Sequence, residues 1–220
     1  MTGQLAYGWY GKIPSAGDFV QRGLSAPFVG AWDRWMQDLL LQGRAALGDR
    51  WDACYCAAPI WRFALAPATC GPRAAAGVMM PSVDRVGRQF PLCLAAESDA
   101  PLWSAYRALE RAFAELEELA LAMLEDDADQ GRLASALGTL EAPANGETVV
   151  ARSAGNATAL LIDGAVEAGL ASIATGPAGA LWVAEIEGRS RVLLSPHQSD
   201  GKAEAAALFD VDAPCWTIPQ

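Results

Sequence analysis

Apolar residues recur along this chain with two periods, and the switching between them predicts strands alternating with helices. Residues 5–10 read as a first strand that ends in a loop over 11–18. Ser25 is placed to cap a helix, with Pro27 in its first turn, where a missing N–H costs little. Phe28, Trp32, Trp35, Met36 and Leu39 then recur at spacings of three and four, which makes one wide apolar stripe, and Gly48 is the expected stop. Over 60–66 the period becomes two, with Trp61, Phe63 and Leu65 on one face and Arg62 on the other. Residues 77–80 and 92–96 read as two further strands joined by the block 81–91. Leu102, Tyr106, Leu109, Phe113, Leu116, Ala120 and Met123 predict one long helix over 101–124, capped by Asp99 and packed on a sheet. A shorter amphipathic helix is expected over 132–140.

The segment 141–146 breaks this pattern with Pro143 and Gly146 and is the best linker candidate. Beyond it, 158–163, 180–187 and 189–195 have strand character, with Glu187-Gly188 a hairpin signal. Residues 204–209 suit a short helix or a strand. The chain is expected to be a single α/β domain over 1–220, with a motif-rich part over 1–140 and a strand-rich part over 147–220.

Composition narrows the class. At 220 residues, 52% apolar and 19% charged, the chain can bury a sizeable core without metal or disulfide staples. Its net charge of −10, from 16 basic and 26 acidic residues, repels phosphate backbones and anionic lipid, so neither nucleic acid nor a membrane surface is the expected partner. The start has no basic and apolar leader, and no apolar run reaches the roughly 20 residues of a membrane span, so a cytoplasmic protein is expected. Five unevenly spaced cysteines fit reduced thiols better than a disulfide framework. Among the eight tryptophans, Trp32, Trp35 and Trp61 fall on apolar stripes. Trp216 either ties down the tail or lies at an interface.

Two blocks escape any periodic account. The first is Gly8-Trp9-Tyr10-Gly11-Lys12-Ile13-Pro14-Ser15-Ala16-Gly17-Asp18-Phe19-Val20. The second runs from Gly77 to Pro91 and contains Pro81-Ser82-Val83-Asp84-Arg85-Val86-Gly87-Arg88. Dense glycine and proline beside fixed polar residues specify a particular loop geometry. If the loops converge, Lys12, Ser15, Asp18, Ser82, Asp84, Arg85 and Arg88 form one polar cluster. Its chemistry fails the usual templates. Gly11-Lys12 suggests a phosphate-binding loop, but Ala6 replaces the first glycine and Ile13 the hydroxyl residue. Nucleophilic catalysis needs a base, and the single histidine, His197, reads as a turn residue. No Gly-x-Ser-x-Gly elbow presents a serine. Cys54-x-Cys56 would face one side of a strand, yet no second pair completes a zinc site. No catalytic residue, metal or cofactor is assigned.

The two blocks, with Trp32-Asp33-x-Trp35-Met36 and Tyr55-x-x-Ala58-Pro59-x-Trp61-Arg62-Phe63, resemble the TagF (ImpM) family of type VI secretion accessory proteins. The resemblance implies a three-layer α/β/α sandwich, for which we expect a mixed sheet. The alternative is an α+β fold with an antiparallel sheet and helices on one face. The resemblance also implies a non-enzymatic post-translational repressor that binds and sequesters Fha, a forkhead-associated scaffold protein of the secretion system. The chain would be the stand-alone form, without the phosphatase domain fused to some members. A competing reading makes the polar cluster the site of a small-ligand sensor or enzyme. A third makes Asp18, Asp84, Arg85 and Arg88 an ion-pair network that fixes two loops.

Overall fold

The computed structural model describes residues 7–125, 127–140, 158–162, 178–196 and 201–216. The expected linker over 141–146 and His197 lie outside them. Eight strands form one sheet: β1 (Tyr7–Gly11), β2 (Val20–Arg22), β3 (Trp61–Leu65), β4 (Ala74–Met80), β5 (Leu92–Ser98), β6 (Thr158–Ile162), β7 (Ala180–Ile186) and β8 (Arg189–Ser195). Their order is β2-β1-β5-β4-β3-β7-β8-β6. Among the described residues the helices are α1 (Ala26–Leu47), α2 (Trp51–Ala57), α3 (Leu102–Ala108), α4 (Phe113–Ala122), α5 (Gln130–Thr139) and α6 (Lys202–Phe209). Among the described residues no helix is long and apolar enough to cross a membrane.

The central strands are apolar on both faces because both are covered. Along β4 and β5, Val78, Met80, Leu92 and Leu94 enter one core with Tyr106, Phe113, Leu116 and Leu133 of α3, α4 and α5. The alternate residues Met79, Cys93 and Ala95 enter a second core with Trp32 and Met36 of α1, Tyr55 of α2 and Phe209 of α6. The class is therefore three-layer α/β/α, as expected. The sheet is not mixed, because all seven pairings are antiparallel. A parallel neighbour needs a long crossover. Here neighbours such as β4–β5 and β7–β8 are joined by direct reversals, while the helical segments link strands that do not pair. The β3–β7 pairing puts strands from both parts of the chain in one sheet.

Local signals account for most boundaries. Ser25 Oγ accepts the Phe28 N–H, and Pro27 stands in the first turn of α1. Ser25 is itself held by Glu97, whose carboxylate accepts its N–H at 2.7 Å and its hydroxyl at 2.8 Å. The hairpin turn forms at Glu187-Gly188, and 202–209 is helical. The single helix expected over 101–124 is two. The amides of Leu109, Glu110 and Ala112 bond to carbonyls three residues back, although no glycine or proline stands there. That tighter winding sets α3 on β3 and β4, and α4 on β4 and β5, so each half keeps its stripe on the sheet. Strand β2 and helix α2 were not anticipated. Helix α2 also corrects the strand assumed for Cys54 and Cys56. Residues two apart on a helix diverge, and Cys54 is half-buried while Cys56 is exposed.

Trp216 ties down the end of the described chain. It is buried, its ring stacks on Trp61 at 6.1 Å, and its indole N–H donates to the Ala207 carbonyl. We predict that Trp216→Ala lowers unfolding free energy in urea by about 3 kcal/mol, the usual cost of a buried aromatic. A fully exposed tryptophan would cost next to nothing.

Candidate functional site

Register brings the two loops together. The β1–β5 pairing sets Tyr10 opposite Cys93, so Gly11 arrives beside Pro91 and Leu92. A Cβ at Gly11 would stand 2.3 Å from the Pro91 carbonyl oxygen, and the residue has φ +147°, so only glycine lets the strands approach here. The loop over 12–19 leaves β1 at the same end of the sheet at which 81–91 joins β4 to β5. Within the second loop, Gly87 N–H donates to Asp84 O and Asp84 N–H to Arg88 O, while Val83 bridges Gln89. The result is a tight reversal with Arg85 and Val86 at its tip.

Asp84 is the centre of this structure. Its side chain is fully buried, and four donors converge on the carboxylate. Lys12 Nζ lies 3.0 Å from Oδ2 and Arg88 Nε 2.7 Å from the same atom. The backbone N–H groups of Val86 and Arg88 donate to Oδ1 at 3.1 and 2.9 Å. Burial alone would raise its pKa. The hydrogen bonds from the Arg88 amide, Lys12, the Arg88 guanidinium and the Val86 amide outweigh it and hold the carboxyl well below the ordinary range. Arg88 also donates to the Gly17 carbonyl at 2.8 Å, and Arg85 N–H to the Ala16 carbonyl at 2.9 Å. Two loops 70 residues apart in sequence are thus stitched through one carboxylate.

The seven cluster residues divide unequally. Lys12, Asp84 and Arg88 meet as described. Ser82 lies on the same loop, where its N–H and carbonyl are both held by the Tyr55 hydroxyl; its own buried hydroxyl has no hydrogen-bond partner among the described residues. Ser15 points elsewhere, with Oγ 3.4 Å from the Ala128 carbonyl. Asp18 is exposed, and its carboxylate caps the Phe19 N–H rather than joining Asp84. Arg85 is exposed, with its guanidinium near Gly17 and no ion pair among the described residues. Of the network expected from Asp18, Asp84, Arg85 and Arg88, only Asp84 and Arg88 pair, and Lys12 supplies the second cation.

Sequence reasoning missed two supports. Tyr55, deeply buried on α2, exchanges two hydrogen bonds with Ser82 and so anchors the root of the loop; its place in Tyr55-x-x-Ala58-Pro59 was the available signal. Phe19 stacks on Tyr10 at 5.3 Å, meets Phe90 edge-on at 4.9 Å and lies 5.1 Å from the Lys12 ammonium. It shields Lys12 while keeping 39% of its own surface exposed. Among the described residues no cluster of three or more metal-ligating side chains forms.

Comparison with known proteins adds an independent line. A family model described as the TagF N-terminal domain, type VI secretion system-associated, matches residues 8–140. The crystal structure of PA0076 from Pseudomonas aeruginosa PAO1, at 2.05 Å resolution, superposes with a TM-score of 0.68 at 28% identity. The match covers 97% of each chain. No curated protein matches the sequence.

We predict that Asp84→Asn, which leaves the Lys12 ammonium buried and unpaired, costs about 3 kcal/mol of stability. Adding Lys12→Met should recover part of that loss. Because the folded pKa is depressed, the stabilisation is complete above the ordinary carboxylate pKa of about 3.9 and is lost as pH falls below it. Urea melts of wild type and Asp84→Asn should therefore converge on acidification. A pH-independent difference would contradict the ion-pair account.

Proposed function

The chain belongs to the TagF N-terminal domain family, associated with type VI secretion, and we propose that it acts there as a non-catalytic, post-translational repressor. It binds a forkhead-associated scaffold protein, Fha, in the cytoplasm and withholds it from the secretion apparatus. The observation that carries this reading is the state of Asp84 and Lys12. A catalytic carboxylate or amine needs a free lone pair or proton facing substrate, and a pKa near the working pH. Here both groups are buried and engaged with each other, and Asp84 is locked in its ionised form. Their work is to hold the loops, whose outer edge is left to meet another protein.

The acidic chain supports the same reading. A net charge of −10 disfavours polyanionic ligands and leaves a protein surface as the natural counterpart. Binding to a scaffold needs a preorganised surface rather than a reaction centre.

The experiment is co-purification of the chain with the cognate forkhead-associated protein, beside a secretion assay on overproduction. A stable complex and reduced secretion of type VI substrates are expected. No complex, with secretion undiminished while the apparatus is active, would overturn the proposal.

A further inference from the structure

We infer that the joined loop tips, Gly17 to Phe19 with Arg85 to Arg88, form a docking surface for a carboxylate-bearing, partly apolar segment of a partner protein. The inference rests on the proposal that the chain works by binding, and names the surface that binds.

Three features carry it. The first is charge. On a chain of net charge −10, three cations, Lys12, Arg85 and Arg88, meet at the loop tips, and the neighbouring carboxylates are already engaged: Asp33 accepts from the Tyr10 hydroxyl at 2.7 Å and Asp52 from the Gln89 side-chain amide at 2.9 Å. Asp84 is spent on Lys12 and Arg88, and Asp18 holds a backbone amide. Arg85 is exposed, its guanidinium beside Gly17 makes no ion pair among the described residues, and the Arg88 side chain remains 59% exposed. An exposed guanidinium that no carboxylate of the described residues neutralises, on an otherwise acidic protein, selects a segment carrying a few carboxylates, because the field of the whole molecule repels an extended polyanion such as nucleic acid.

The second is exposed apolar surface. Val86 is 72% exposed at the tip of the reversal, a position that turns normally fill with polar residues. Phe19, from the adjoining loop, keeps part of its ring surface exposed. An aromatic and an aliphatic group framed by arginines have the composition of a binding hot spot.

The third is rigidity. Asp84 fixes both flanks of the tip, and Arg85 N–H is itself bonded to the Ala16 carbonyl across the junction. The edge is held in place before a partner arrives, which reduces the ordering cost of association.

The test compares wild type with Arg85→Glu and Val86→Asp for binding to the purified forkhead-associated protein. Both side chains are exposed, so thermal melts should match wild type. The dissociation constant should rise about tenfold or more in each, as for truncated hot spots, and raised salt should weaken wild type more than Arg85→Glu. Leu41→Asp, an exposed position on α1, serves as the control and should bind normally. If wild type does not bind that protein, the functional proposal fails, and the surface is tested separately in cells with an active secretion system. A photocrosslinking side chain at Val86 should then capture an acidic segment of a different protein, and the same group at Leu41 should not. Unchanged affinity in Arg85→Glu and Val86→Asp would overturn the inference. So would crosslinking no stronger at Val86 than at Leu41, or capture through a segment without carboxylates.

Discussion

One buried carboxylate sets the geometry on which this end of the molecule depends. Removing Asp84 from water is costly unless donors replace its hydration. Lys12, Arg88 and two backbone amides do so. Each comes from a chain segment that would otherwise be a free loop. Lys12 ties in the exit of β1, Arg88 the return into β5, and the amides close the reversal between them. The Tyr55 hydroxyl on the neighbouring Ser82 extends this arrangement to α2, so the helical layer is fixed to the same point.

The sheet beneath provides the platform. Strands β4 and β5 feed two cores at once, one toward α3–α5 and one toward α1, α2 and α6. Aromatic rings concentrate on the second side, where Trp32 lies 5.0 Å from Phe63 and 6.2 Å from Trp182. A strand buried on both faces resists slipping, since a shift of one residue would exchange its two apolar sets. Register then transmits that rigidity to the loops, because Gly11 can only sit where Pro91 and Leu92 allow.

Much of this was legible in the residues. The cap at Ser25, the stripe of α1, the strands other than β2 and the hairpin at Glu187-Gly188 follow from short-range chemistry, and short-range chemistry is what a sequence displays. The break between α3 and α4 was hidden, because its cause is the sheet on which the helix lies and not a residue at the break. Strand direction was hidden as well, since it depends on which strands pair. At the site, the two glycine- and proline-rich blocks marked the correct loops. They did not reveal that Lys12 would take the place expected of Arg85, nor that Asp18 would face outward. Those outcomes depend on distances between segments 70 residues apart.

The chain belongs to a type VI secretion-associated family, and it shares its fold with PA0076 across 97% of both chains. Its two motif-bearing loops are built around a buried carboxylate that its hydrogen bonds hold ionised at neutral pH. The most direct test is an NMR titration of the Asp84 side-chain carboxyl carbon. The account predicts that its shift stays at the ionised value as pH is lowered through about 3.9, where an ordinary aspartate titrates. Titration near that ordinary value, or above it, would contradict the account.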